Sequence, residues 1–268
     1  MYIEFYRLTE PPFSVTPNPK FLYMTEQHRT ALNHLLFGIR QRAGFVLLTG
    51  EVGTGKTTLC RKLLGSLEIG YYTALILNPL LTAAQLLRAI VGEFGIEHRC
   101  RDRLGYMTVL NQFLLAANAA GRDAVLIVDE AQDMSVELLE LTRLLSNLET
   151  DSHKLLQIVL VGQPELRRKL RSPDLRQLDQ RITVRCHLRA MDLADTAEYI
   201  RHRIHVAGGE RLRFADEAVR EVFRHSGGTP RLVNAIGDKS LLAGYVRGTE
   251  LIDREVVDAA VRELKEAA

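Results

Sequence analysis

Residues 44–58 read GFVLLTGEVGTGKTT. GFVLLT (44–49) is a short apolar run ending at a glycine, the pattern of a buried strand. TTLCRKLL follows, and a helix is predicted over 56–67. Between them, GEVGTGKTT matches G-x-x-x-x-G-K-[ST], with Gly50, Gly55, Lys56 and Thr57 at the fixed positions. Glycines let the backbone curl until successive N–H groups converge on phosphate oxygens. The helix that follows points its positive end at the same anion. The candidate phosphate ligands are therefore Gly50, Glu51, Val52, Gly53, Thr54, Gly55, Lys56, Thr57 and Thr58. Lys56 would reach the β- and γ-phosphates of ATP or the phosphates of ADP, and the Thr57 hydroxyl would ligate Mg²⁺. A strand before the motif and a helix after it make a glycine turn without nucleotide the minor reading.

Outward from this loop, strand-length apolar runs recur at 73–77 (TALIL), 124–128 (AVLIV), 155–161 (LLQIVLV) and 182–188. Helical periodicity separates them over 82–95, 104–120 and 136–148, the first opened by a Thr82/Gln85 capping box. Alternating strands and helices predict a three-layer α/β core with a parallel five-stranded sheet. After Leu188 the strands are expected to stop, and about four helices fill 192–268, a small all-helical lid. Near the start, PPFSVTPNPKFLY is too rich in proline for a helix, and a helix is predicted over 26–42. The expected division is 1–43 (N-terminal segment and helix packed on the nucleotide site), 44–189 (core) and 190–268 (lid).

AVLIVDE ends in Asp129 and Glu130. Ligands gather at the carboxyl ends of strands in open α/β sheets. Asp129 is read there as the second Mg²⁺ residue and Glu130 as the base that orients or deprotonates the attacking water. The plainer alternative, a cap on the next helix, loses ground once a phosphate loop leaves the same sheet. The adjacent glutamate tilts the reading from phosphotransferase to hydrolase. Gln163, in VGQPEL, stands at the end of the fourth strand. Two readings stay level: a hydrogen bond to the γ-phosphate or the water, or a helix-start residue beside Pro164. LRQLDQRITVR carries Arg176, Arg181 and Arg185; a guanidinium there serves either the ATP of a neighbouring subunit or a surface salt bridge. Arg181 ranks first and Arg176 second. GGTPRLVNAIGD opens a lid helix with Thr229 as its cap, Pro230 in its first turn and Arg231 after it. A cation at a helix N-terminus opposes the helix dipole, which favours a nucleotide role for Arg231.

Net charge is +2, with 46% hydrophobic and 25% charged residues, so the whole chain is no polybasic nucleic-acid binder. RHRIHVAGGERLRF, with Arg201, Arg203, Arg211 and Arg213, is broken by Glu210 and reads as a solvated helix face. Cys60, Cys100 and Cys186 have no metal or redox spacing. No apolar stretch is long enough for a bilayer span, and MYIEFYRLTEPPF has no signal-peptide core. The chain reads as cytoplasmic and soluble.

Phosphate loop, DE strand, polar sensor strand and a helical lid with GTPR together resemble the AAA+ ATPases. More narrowly, PPFSVTPNPKFLY, GFVLLTGEVGTGKTTL, VLIVDEAQ, IVLVGQPELR, LRQLDQRI and GGTPRLVN, in that order, resemble the general secretion pathway protein A (ExeA-like) family. The resemblance implies that Phe13, Leu22 and Tyr23, with His28, cover the adenine, against core packing for any one of them. It also implies that Gln163 is the first sensor and Arg231, beside Pro230, the second. Arg176 or Arg181 would be the finger of a homo-oligomer. An inner-membrane partner in type II secretion or a pilus-like system is implied too. Fuller members continue into a transmembrane helix and a periplasmic peptidoglycan-binding domain. This chain is therefore expected to be an excised cytoplasmic region or a short relative, meeting the inner membrane through that segment or a partner and peptidoglycan only through a domain absent here. Competing readings are an ATP-dependent switch with slow hydrolysis and a DNA-linked, transposition-helper-like ATPase. The charge pattern does not favour nucleic acid.

Overall fold

The apolar runs become strands, and backbone pairing moves their ends. A computed structural model describes residues 1–14, 18–67, 70–150 and 153–266. The chain folds into two compact units: a sheet unit, Gln27–Glu51 with Leu59–Leu188, and a helical unit, Met1–Glu26 with Val52–Thr58 and Arg189–Ala268.

In the sheet unit, β1 (Phe45–Gly50), β2 (Tyr71–Ile76), β3 (Asp123–Val128), β4 (Leu156–Gly162) and β5 (Ile182–Leu188) form a parallel sheet in the order β2-β3-β4-β1-β5. β1 and β4 are buried along their whole length, whereas the edge strands β2 and β5 are only partly so, as a sheet covered on both faces requires. Thr49 pairs with Gly162 and Val128 with Leu160, so β1, β4 and β3 end along one rim. Phe45, Leu126 and Ile158 meet Leu86, Leu110 and Leu141 in one apolar cluster. The Thr82/Gln85 capping box forms with both of its bonds. β2 starts two residues before the apolar run because Tyr71 is in register with Asp123. The helix predicted to Leu148 stops at Leu145, where the Ser146 hydroxyl donates to the Arg143 carbonyl at 2.7 Å.

Four longer helices, Leu193–Val206, Asp216–Ser226, Pro230–Arg247 and Arg254–Glu266, build the helical unit. The expectation that strands stop after Leu188 is corrected: β6 (Arg213–Phe214) and β7 (Leu251–Ile252) pair in parallel. Two residues each are too few to show alternation. The first 26 residues join this unit instead of standing apart. Tyr6, Leu8, Phe13 and Phe21 share its core with Ile200, Val222, Leu241 and Val257.

A second correction concerns Arg203, assigned above to a solvated face. It is 6% exposed. Its guanidinium donates to the Pro12 carbonyl, to the Ser14 carbonyl at 3.2 Å and to the Tyr199 hydroxyl at 2.9 Å, and lies over the Phe21 ring. Tyr199 in turn donates to Asn234 at 2.9 Å. The N-terminal segment supplies carbonyls that have no helical partner, and a buried arginine satisfies them. Arg201 pairs outside with Glu198, and Arg211 and Arg213 are exposed. Cys60 and Cys186 are buried free thiols, and burial pushes the Cys186 thiol up to about 11, which keeps it protonated and inert.

Candidate nucleotide site

The glycine-rich loop belongs to the helical unit from Val52 to Thr58. Gly53 and Gly55 take φ of +79° and +93°, a backbone that side-chain-bearing residues rarely adopt. Thr54 and Lys56 are buried, Gly53, Gly55, Thr57 and Thr58 are half-buried, and Glu51 and Val52 are exposed. The helix Lys56–Leu67 has no acidic residue in its first turn, so nothing there offsets its positive end. Gly53 also lies against the turn that opens helix Pro230–Arg247. A Cβ at Gly53 would stand 2.8 Å from Arg231 Cβ and 3.1 Å from Thr229 Cγ2. The loop and Arg231 therefore approach within van der Waals contact, and the Arg231 side chain is exposed beside it. Pro230 occupies the first helical position as expected. Thr229 holds the N-cap position, but its side chain makes no capping bond, which corrects that expectation. The turn is held instead by Gly228, whose carbonyl accepts from Met191 N at 3.0 Å.

On the sheet rim, Asp129 follows β3 and is 2% exposed. Its Oδ1 accepts the Glu130 N–H at 2.9 Å. That bond accompanies a left-handed backbone at Glu130, φ 51° and ψ 37°, which costs roughly 1–2 kcal/mol for a non-glycine residue. Such strain persists where the surroundings over-determine it and clusters at functional sites. Glu130 Oε2 accepts from Gln132 Nε2 at 2.7 Å and from Gln163 Nε2 at 3.4 Å. Gln163 takes the N-cap position of helix Pro164–Leu170, as its helix-start reading expects, yet its side chain makes no capping bond and turns to Glu130. Gln132 carried no role in the sequence reading. Its position two residues after Glu130 in VDEAQ was the available signal.

Arg181 donates to Ser146 Oγ at 3.2 Å and Asn147 Oδ1 at 2.5 Å, and Arg185 pairs with Asp179 at 2.9 Å. Arg176 is exposed at the start of helix Arg176–Arg181, with no ion pair to another described residue. Phe13 is 0% exposed, with Phe214 against its ring and Gly237 beneath it. Its faces are filled by protein, which corrects its assignment to a base. Leu22 is half-buried. Tyr23 is half-buried with its ring against Tyr199 and His202, and His28 is buried in helix Glu26–Arg40. Burial first, then the charges of Arg203 and His205, lower the His202 pKa.

Residues 39–170 match the family described as AAA domain. General secretion pathway protein A of Aeromonas hydrophila is 49% identical over 265 residues, covering 98% of this chain and 48% of that protein. The chain carries an AAA domain on a P-loop fold. It spans about half the length of this curated relative. Two solved structures share the fold at low identity. The Aeropyrum pernix ORC2 protein superposes with a TM-score of 0.67 at 18% identity, over 95% of this chain and 71% of that one. The Thermotoga maritima RuvB branch migration motor gives 0.61 at 20%, over 92% and 74%. Among the described residues no helix is long and apolar enough to cross a membrane.

Proposed function

We propose that this AAA+ chain binds ATP with Mg²⁺ and hydrolyses it, and that as a homo-oligomer it powers or regulates assembly of a bacterial envelope complex of the type II secretion or pilus-like kind. The acidic pair after β3 supports hydrolysis most directly. Asp129 is buried at a strand end, and Glu130 beside it is held in a strained backbone with its carboxylate engaged by amide donors. The half-buried Thr57 hydroxyl and the Asp129 carboxylate are hard oxygen donors of the kind Mg²⁺ prefers. Mg²⁺ held by these oxygens would neutralise phosphate charge. Lys56 binds the β- and γ-phosphates. Glu130 takes the proton of the attacking water, Gln163 orients that water or the γ-phosphate, and Arg231 reports the nucleotide to the helical unit. Tyr23, with Leu22 and His28, is the remaining candidate for the adenine.

For the trans finger, Arg176 replaces Arg181 as first choice, because the Arg181 guanidinium already bonds Ser146 and Asn147 within its own chain. A finger is worth about 10³–10⁵ in rate, so a monomer should be almost inactive. The envelope role rests on the 49% identity to a protein named for the general secretion pathway. An inner-membrane partner protein is part of this reading. ATP turnover per subunit against protein concentration tests it. Specific activity should climb with concentration, Lys56→Ala and Glu130→Gln should abolish it, and Glu130→Gln should still bind ATP. Flat, negligible turnover by a chain that binds ATP tightly would make it a nucleotide switch instead.

A further inference from the structure

We infer that Gln132 is a positioning residue that sets the Glu130 carboxylate and yokes it to Gln163; this rests on the hydrolytic reading above. One amide does both jobs. Gln132 Nε2 donates to Glu130 Oε2 at 2.7 Å, while Gln132 Oε1 accepts the Gln163 backbone N–H at 3.0 Å. Gln163 closes the ring by reaching the same Oε2 at 3.4 Å. The end of β3 and the end of β4 are thus joined through a single side chain, and a shift of either strand end is felt at the carboxylate.

The surroundings are built to hold that amide. A Cβ at Gly162 would lie 2.7 Å from Gln132 Oε1 and 2.9 Å from Leu166 Cδ2, so a larger residue there would push the Gln132 amide or the Leu166 side chain aside. Lys169 Nζ donates to the Gln132 carbonyl at 2.8 Å and to the Met134 carbonyl, anchoring the turn Ala131–Asp133 from helix Pro164–Leu170. The Gln132 amide also reaches Asp133 Oδ2 at 3.3 Å. A glutamine used only to fasten the turn would not need its donor on the one carboxylate next to the buried Asp129. A carboxylate with one oxygen fixed by two donors keeps its other oxygen in a set direction, which is what a general base needs in order to meet a water.

The test compares Gln132→Ala, Gln132→Glu and Glu130→Gln in the full chain, by ATP turnover, binding of a fluorescent ATP analogue and thermal unfolding. Gln132→Ala should lower kcat about 10-fold or more with little change in KM, below the ~10²–10⁴ that a general base itself contributes. Gln132→Glu keeps the shape and the acceptor for Gln163 N–H but sets a carboxylate against Glu130, with Asp133 near and the Lys169 ammonium on the adjoining carbonyls. At neutral pH it should be as slow as Gln132→Ala. A purely structural Gln132 would lower the unfolding midpoint and ATP-analogue binding along with turnover. Wild-type kcat in Gln132→Ala, a loss of kcat matched by a loss of ATP-analogue binding, or wild-type turnover in Gln132→Glu overturns the inference. Full turnover in Glu130→Gln would instead overturn the hydrolytic reading beneath it.

Discussion

The two units handle buried polarity in opposite ways. In the sheet unit, the strands are joined by backbone ladders, the interior is mostly apolar with Gln157 buried to accept the Gly44 N–H, and the candidate site side chains sit at the strand ends: Asp129 and Glu130 after β3, Gln163 after β4. In the helical unit, a buried arginine, Arg203, and a tyrosine–asparagine pair hold an irregular N-terminal segment from within. A parallel sheet satisfies most of its own backbone, so its core needs few polar groups. A segment of prolines and turns has carbonyls left over, and side chains must meet them. The sheet unit is therefore governed by local pattern, and the helical unit by fits between distant residues.

That contrast can be broken at four points. The largest effect is expected at Gly228, where φ is +72° and a Cβ would stand 1.9 Å from the Met191 carbonyl oxygen. Gly228→Ala should cost roughly 3–5 kcal/mol through strain and backbone displacement, read as a drop in the urea midpoint. Next comes Arg203→Ala, which leaves the Pro12 and Ser14 carbonyls without a buried donor. About 3 kcal/mol and faster proteolysis in residues 1–14 are expected, while Arg201→Ala, on the exposed side of the same helix, should stay within about 0.5 kcal/mol. If the two arginines cost the same, the buried clamp does not organise this unit.

Thr82→Ala in the sheet unit removes a local cap and should cost about 1 kcal/mol, a loss that restoring Ser should recover. The smallest effect concerns His202, whose pKa is lowered from 6.5 by burial and by the charges of Arg203 and His205. The folded state then binds fewer protons than the unfolded one, so this contribution is complete above pH 6.5 and is lost as pH falls through and below it. The thermal midpoint of wild type should fall more than that of His202→Gln between pH 7 and 5.

The sheet unit was legible because its signals are short-range. β5 and the helix Lys56–Leu67 begin and end where their residues predict, and the capping box, the phosphate motif and the DE pair are each contained within a few residues. Shifts of one to three residues at other ends came from pairing register and from Ser146. The helical unit was less legible. Its helix count could be read, but nothing near Arg203 in the chain distinguishes it from Arg201, since their fates depend on residues 1–14.

Residue type and spacing alone established a P-loop α/β fold and put the glycine loop and the Asp129–Glu130 pair at strand ends, because strand ends and glycine turns are local properties of the chain. Tertiary structure alone decided that Phe13 is core, that Arg181 is already engaged, that Arg231 meets the loop at Gly53, and that Gln132 ties Glu130 to Gln163. Each of these is a contact across tens of residues or more, or a choice of which partner a polar group takes, and partner choice is settled only when the packing brings donors and acceptors within about 3 Å.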